Sequence, residues 1–369
     1  MKLIGRFPTH LAMFMPTLGG GGAEKIMLNL ARDFYQRGLK VDLLVGRAKG
    51  PYLSQLSEGI RLVDFNAARM SASLPPLVRY LRENRPQALL STLGLANFFA
   101  LLARRLSGAS TRVVVRAANM PGFDEDGSPK QKVESFLVYA SYGWADGVIA
   151  VSKALARELS RRTGLPLERI AVIYNPVITP ELTVKAGESV GHPFFQPGQP
   201  PVVLGVGRLT AQKDFFTLVR AYALARQAKK AHLLILGEGE QRRELESLIK
   251  TLGLHQEADL PGFTNNLYAY MKRAGVFVLS SISEAFGNVL VEALACGCPV
   301  VSTDCPGGPV EILKGGEYGY LTPMRQPEPM AQAILTVLSG QRKAVDAAWL
   351  DQFRLERVAP QYLRILGLG

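Results

Sequence analysis

"VFVLSSISEAFGNVLVEALACGCPVVSTD", residues 276–304, runs from one short apolar stretch through a polar loop and a longer apolar segment into a second short apolar stretch. Gly287 and Asn288 fit a helix start better than a helix interior. Glycine costs about 1 kcal/mol inside a helix, and asparagine is a favoured cap. The segment therefore reads as strand, loop, helix, strand. Two strands joined by a crossover helix belong to a parallel sheet, which is covered on both faces and binds ligands at its carboxyl edge.

The same unit recurs outward from this point. "PVVLGVGRL", "HLLILGEGE" and "ADLPGF" precede it as strands of the same series. A first series opens with "LAMFMPTL", which leads into four glycines and then a helix with Ile26, Leu30 and Phe34 at four-residue spacing, closed by Gly38. "KVDLLVG", "QALLSTLG", "TRVVVRAAN", "DGVIAVS" and "IAVIYNP" continue it. Between the series, residues 176–201 hold six prolines and no sustained period, as a linker would. With 369 residues and roughly 150 per domain, two domains are expected. The predicted fold class is α/β, with two Rossmann-like domains whose parallel sheets face across a cleft. The expected parts are residues 1–178, a linker over 179–200, a second domain over 201–352, and a C-terminal helix of about 353–369 that packs back on the first domain.

Composition narrows the function classes. Hydrophobic residues at 47% and charged residues at 20% describe a globular chain, not a disordered one. The longest uncharged run, residues 86–103, contains Ser91, Thr92, Gly94 and Asn97 and reads as strand, turn and helix, so any membrane association is expected to be peripheral. The apolar run near the N-terminus is broken by Pro16 and the glycines, and no signal peptide is read there. Net charge is +12, and residues 1–180 carry 24 Lys and Arg against 13 Asp and Glu, a balance of +11. A basic half suits nucleic acid, an anionic membrane or a phosphorylated substrate. Nucleic acid is not expected, because no finger spacing or aromatic-studded basic strand is present. Cys296, Cys298 and Cys305 are clustered without a nearby histidine, so reduced thiols of a cytosolic protein are read in place of a zinc site.

Glu284 and Glu292 are the first chemical candidates. On one unbroken helix, eight residues would separate them by about 12 Å along the axis and about 80° around it. Paired glycosidase acids need about 5 to 9.5 Å, so a hydrolase is disfavoured. With a helix start between them, Glu284 lies on the loop above the helix and Glu292 in its second turn, beside the amides near Asn288 and Val289. Two carboxylates and such amides suit hydroxyls and one anion. Glu292 stands among apolar neighbours, where a carboxylate is more often partnered than solvated.

Residues 19–25, "GGGGAEK", join a strand to a helix, where amides can face an anion. A P-loop would need Gly-Lys-Ser/Thr at its end, and a dinucleotide fingerprint a third glycine where Glu24 stands. The loop reads either as a generic ligand-approach loop or as a tight turn needing positive φ. "GRLTAQKDF" sets Arg208 and Lys213 just past a strand end. They read either as a diphosphate clamp or as two surface cations among 43.

"SEAFGNVLVEALACGCPVVSTDCPGGPVEIL", with "GRLTAQKDF" before it and "GGGGAEK" near the start, resembles the retaining glycosyltransferases of family 4, which have the GT-B fold. "ADGVIAVSKALARELS" and "IYNPV" are similar to the end of that family's first domain, and the likeness spans essentially the whole chain. It implies that Arg208 and Lys213 hold a donor diphosphate and neutralise the leaving group, that Glu284 meets donor-sugar hydroxyls, and that Glu292 meets the nucleotide ribose. Backbone amides around Phe286, Gly287, Asn288 and Val289, with Gly20, Gly21 and Gly22 opposite, would complete the contacts. Arg208, Lys213 and Glu284 are the implied catalytic residues. No metal or cofactor is implied; "DED", formed by Asp124, Glu125 and Asp126, imitates metal-binding acids but stands in a loop-like stretch.

The chain departs from the family pattern at Ala285, where glycine is usual. It departs also in "VVVRAANMP", where Arg116 and Asn119 stand without the histidine or acid that many relatives place facing the sugar. Arg116 and Asn119 are accordingly the acceptor-side candidates. The expected reaction moves a sugar from a nucleotide diphosphate donor, uridine on family grounds, to a glycan or lipid-linked acceptor of bacterial surface polysaccharide synthesis, with retention. The expected place is the cytoplasm, peripherally on an anionic membrane face. A GT-B sugar-nucleotide epimerase would form product without acceptor, and a non-catalytic nucleotide-sugar binder would bind donor without transfer.

Overall fold

The computed structural model of the protein describes residues 9–121 and 128–369. The chain divides into two compact units, one made of residues up to Pro176 together with Phe353–Gly369, the other of Val177–Gln352.

The first unit is built on strands β1 (His10–Met15), β2 (Lys40–Val45), β3 (Arg61–Asp64), β4 (Ala88–Thr92), β5 (Arg112–Ala117), β6 (Gly147–Ala150) and β7 (Ile170–Val172). Helices α1 (Gly22–Gln36), α2 (Leu74–Asn84), α3 (Gly94–Ser107), α4 (Pro129–Ser141) and α5 (Lys153–Thr163) alternate with them. The strands pair in the order β3-β2-β1-β4-β5-β6-β7, all parallel. The central β1 is buried along its whole length, as a strand covered on both faces must be.

The second unit begins with α6 (Pro180–Ala186), a short helix inside the proline-rich stretch, with Pro180 at its first turn and Leu182 and Ala186 buried. Then come β8 (Val202–Val206), α7 (Phe215–Ala228), β9 (His232–Leu236), α8 (Arg242–Thr251), β10 (Ala258–Gly262), α9 (Leu267–Arg273), β11 (Val276–Leu279), α10 (Asn288–Ala295), β12 (Val300–Thr303), α11 (Pro309–Ile312), β13 (Tyr320–Thr322), α12 (Pro327–Leu338) and α13 (Ala347–Leu350). The strand order is β10-β9-β8-β11-β12-β13, again all parallel. Helix α14 (Leu355–Leu366) closes the chain by returning to the first unit, where it packs against α1 and β5.

Both sheets reverse their winding once, between β1 and β4 in the first unit and between β8 and β11 in the second. At such a switch point the loops leaving two adjacent strands diverge, and a crevice opens at their carboxyl ends. Residues 19–22 follow β1, residues 207–214 follow β8, and residues 280–287 follow β11. The glycine loop, the Arg208 and Lys213 loop and the Glu284 loop therefore sit at the switch point of their own unit, whereas Arg116 and Asn119 lie at β5. The edge strands β3 and β13 escape the sequence pattern because each is short and only half buried.

Candidate active site

In the second unit, the loop after β8 and the loop after β11 are stitched together at the switch point. Gln212 Nε2 donates to the Ser283 carbonyl at 2.8 Å, the Ile282 amide to the Gln212 carbonyl at 2.9 Å, and Ser280 Oγ to the Lys213 carbonyl at 2.7 Å. Asp214, in the left-handed region at φ 44°, caps α7 by accepting from the Thr217 amide at 3.4 Å, and it also accepts from Thr217 Oγ1 at 2.7 Å. The first loop is thereby anchored to a helix at one end and to its neighbour loop along its length.

This frame brings Lys213 and Glu284 together. Lys213 Nζ pairs with Glu284 Oε1, and Ser281 Oγ donates to the same oxygen at 2.7 Å. Glu284 is 8% exposed, so its charge is mostly withdrawn from water and is offset by the ammonium. Its backbone is clamped too: the Glu284 amide donates to the Pro306 carbonyl at 3.1 Å and its carbonyl accepts from the Gly308 amide at 3.2 Å. Gly307 lies at φ 125°, and a Cβ there would sit 1.4 Å from the Glu284 carbonyl oxygen. No other residue permits that approach.

Arg208 is exposed, and its guanidinium has no hydrogen-bond or ion-pair partner among the described residues. Thr210 Oγ1 and Ser283 Oγ, on the same two loops, are buried hydroxyls likewise without a partner. The exposed guanidinium keeps its donors for a polar ligand, whereas the two hydroxyls are closed off from solvent.

Helix α10 starts at Asn288, as the sequence predicts, but Gly287 is the cap residue, at φ 99°, and makes no side-chain cap bond. Phe286 is 2% exposed; Val289 is partly buried at the helix's first turn. Glu292 is 3% exposed in the second turn, where Tyr268 Oη donates to its Oε1 at 3.2 Å. The expectation that this carboxylate is partnered holds, and the partner comes from α9. Burial pushes the Cys296, Cys298 and Cys305 thiols up to about 12, and all three are free and buried. They are inert at neutral pH.

In the first unit, Gly20 takes φ 92° and its carbonyl accepts from Tyr52 Oη at 3.2 Å, while Gly21 caps α1. The positive φ is what a tight turn needs; the Glu24 carboxylate folds back to within 2.5 Å of where a Cβ on Gly21 would stand. Arg116 is fully buried. Its Nε donates to Tyr362 Oη at 3.1 Å, Nη1 to Thr92 Oγ1 at 2.9 Å and Nη2 to Asn175 Oδ1 at 2.6 Å. Three of its five N–H donors are thus used inside the unit, on α14, β4 and the segment after β7. Asn119 is exposed beyond the end of β5.

Among the described residues, no group of three or more His, Cys, Asp or Glu is placed to hold a metal ion; Asp124, Glu125 and Asp126 lie outside them. Among the described residues, no helix is long and apolar enough to cross a membrane. Sequence reasoning did not find Gln212, Ser281, Tyr268 or Gly307. The glycine pair in "STDCPGG" was the one visible sign, since paired glycines after a strand mark a close backbone approach.

Two units of parallel sheet, each with its functional loops at a switch point, define the GT-B class of glycosyltransferase architecture. Residues 20–180 match Glycosyltransferase Family 4, and residues 193–348 match Glycosyl transferases group 1. The N-acetylgalactosamine-N,N'-diacetylbacillosaminyl-diphospho-undecaprenol 4-alpha-N-acetylgalactosaminyltransferase of Campylobacter jejuni is 30% identical over 96% of this chain and 99% of its own length. The lipopolysaccharide 1,6-galactosyltransferase of Salmonella typhimurium is 23% identical over 88% of each. Among solved structures, sucrose-phosphate synthase from Thermosynechococcus elongatus superposes with a TM-score of 0.80 at 20% identity, over 98% of this chain and 100% of that one. Anabaena HepE in complex with UDP-glucose gives 0.78 at 20% identity, over 97% and 99%. The chain belongs to glycosyltransferase family 4, and it is a glycosyltransferase.

Proposed function

We propose that this enzyme transfers a hexose or N-acetylhexosamine from a UDP-sugar to a lipid-linked sugar acceptor of bacterial envelope polysaccharide synthesis, with retention, working peripherally on the cytoplasmic face of the membrane. The observation that carries the donor side is the partly buried Lys213–Glu284 pair at the second unit's switch point, with the exposed, unpartnered Arg208 on the same loop as Lys213. The lipid-linked acceptor is supported by the Campylobacter relative, whose name specifies a diphospho-undecaprenol-linked glycan.

On this reading the diphosphate lies across Arg208 and Lys213. The guanidinium offers a planar fork of donors and the ammonium a point charge, and together they neutralise the charge that grows as the nucleoside diphosphate departs. A phosphate oxygen competes with Glu284 for Lys213, and Glu284 then accepts from hydroxyls of the donor sugar. Glu292 meets the ribose, and the amides at the amino end of α10 favour an anion. Gly20, Gly21 and Gly22 let ligand approach the backbone of the first unit. The bond from the anomeric carbon to the phosphate oxygen breaks, the acceptor oxygen bonds to the same face of that carbon, and the acceptor proton passes to the departing phosphate. Charge neutralisation by the two cations lets the reaction proceed without a metal.

The test is a transfer assay with a panel of UDP-sugars and diphosphate-lipid-linked acceptors, preceded by a thermal-shift screen of the donors. Arg208→Ala is expected to lower kcat/KM by about 10²-fold or more, with UDP protection largely lost. If Arg208→Ala and Glu292→Ala both leave turnover and donor affinity unchanged, the reading is wrong.

A further inference from the structure

Helices on the surface of a globular unit turn their apolar stripe inward. Helix α4 does the reverse over much of its length. Val138 and Ser141 are its buried positions, while Val133 is 58% exposed, Phe136 71% and Leu137 41%, with Ala140 exposed as well. Spacings of three, four and seven residues put these four on one helical face. An apolar stripe of this density on a surface marks an interaction site.

The border of the stripe identifies what it meets. Lys130 and Lys132 are exposed at the amino end of α4, and Glu134, its one acid, lies 4.0 Å from Lys130. Past the carboxyl end, Trp144 is 38% exposed with the Arg105 guanidinium 4.1 Å above its ring, and the next residue of α3, Leu106, is 52% exposed. Apolar side chains in the middle, a tryptophan at the margin and cations around them are the pattern of a helix that lies in the headgroup layer of a bilayer. The charge agrees, because residues 1–180 carry +11 of the chain's +12. An anionic lipid surface draws such a half toward it.

We propose that the outward face of α4, extended by Trp144 and Leu106, docks on an anionic bilayer. The inference rests on the lipid-borne acceptor for its purpose, and its test is independent of turnover. Purified full-length protein, without substrate, is floated with vesicles of phosphatidylethanolamine and phosphatidylglycerol, and with vesicles of phosphatidylcholine alone. Binding is expected to the anionic vesicles, to weaken as salt rises, and to fall about tenfold or more in the double variant Phe136→Ser, Leu137→Ser. Lys130→Ser with Lys132→Ser is expected to lower binding severalfold and flatten its salt dependence. Both double variants replace exposed side chains and should keep the wild-type melting temperature and UDP-induced shift, which serves as the folding control.

Equal vesicle binding by wild type and the Phe136→Ser, Leu137→Ser variant would overturn the proposal, as would binding to neither vesicle. A wild-type dimer that this variant splits in the absence of lipid would overturn it too, by making the face a self-interface. An enzyme that turns over a soluble acceptor yet ignores vesicles refutes this inference alone. One that binds vesicles through α4 but transfers nothing refutes the transferase reading alone.

Discussion

At the scale of the residue, the site depends on contacts between chain segments far apart in sequence. Lys213 and Glu284 are 71 positions apart, and Tyr268 and Glu292 are 24. Offsets from a strand end or helix start marked Arg208, Lys213, Glu284 and Glu292 as candidates, and the resemblance to the family's motifs is what implied their roles. Sequence could not show that Lys213 neutralises Glu284, because no spacing within either motif encodes the distance between two loops. The same holds for Gly307, whose freedom is needed only because the Glu284 carbonyl lies where its Cβ would be. Gly307→Ala should therefore act on Glu284. We expect a stability loss of about 2 kcal/mol, from the unfavourable φ and the displaced backbone, together with loss of the UDP-dependent thermal shift. A variant that melts early yet keeps full UDP protection would show that the clamp does not serve the ligand. Lys213→Ala leaves Glu284 buried beside Ser281 without a cation, and should cost both stability and turnover, with kcat/KM down by about 10²-fold or more.

At the scale of the element, the central strands were readable because they are buried on both faces and appear as continuous apolar runs. Of the edge strands, β7 and β10 were readable as well, but β3 and β13 were not. "RLVD" and "YLT" carry little apolar content, and what holds β3 in place is an ionic network at the amino edge of its sheet. Asp42, fully buried on β2, accepts from Arg61 Nε at 2.9 Å on β3 and from Tyr80 Oη at 2.5 Å on α2, and lies 2.8 Å from His10 Nε2 on β1. Burial alone would push the Asp42 carboxyl up, but the hydrogen bonds from His10, Arg61 and Tyr80 outweigh it and hold the group well below the usual carboxylate range. A depressed folded-state value means stability that is fully present above the unfolded-state value of about 4 and drains as pH falls below it. Asp42→Asn should cost about 1 to 3 kcal/mol at neutral pH, because Arg61, Tyr80 and His10 lose their shared ionised acceptor. In melts taken from pH 7 down to pH 3, the advantage of wild type over Asp42→Asn should shrink only below about pH 4. An advantage that is constant across that range would mean the carboxylate's charge is not what stabilises this edge.

At the scale of the whole molecule, the chain closes its first unit last. Residues 353–369 are separated from the rest of that unit by the entire second one, yet Val358, Ala359, Tyr362 and Leu366 are buried in it. The return helix was expected from sequence, but its anchor was not. Arg116 was read as a group facing an acceptor, because it ends a strand where ligands bind. It is instead withdrawn from solvent, with Tyr362 Oη, Thr92 Oγ1 and Asn175 Oδ1 as its acceptors and α14 supplying one of them. A guanidinium that loses one of three partners in a dry interior bears a desolvation cost that the two remaining partners do not offset. Tyr362→Phe tests this directly, since it removes the hydroxyl and leaves the ring. We expect a loss of about 1 to 3 kcal/mol, located in the first unit. Hydrogen exchange should then quicken in β4, β5 and α14, while α7, α10 and β11 keep wild-type protection, because the two units own separate cores. UDP should protect the loops after β8 and β11 equally in wild type and in Tyr362→Phe. If the variant instead weakens UDP protection while leaving exchange in β5 and α14 untouched, Arg116 belongs to the ligand and not to the lock that joins the end of the chain to its beginning.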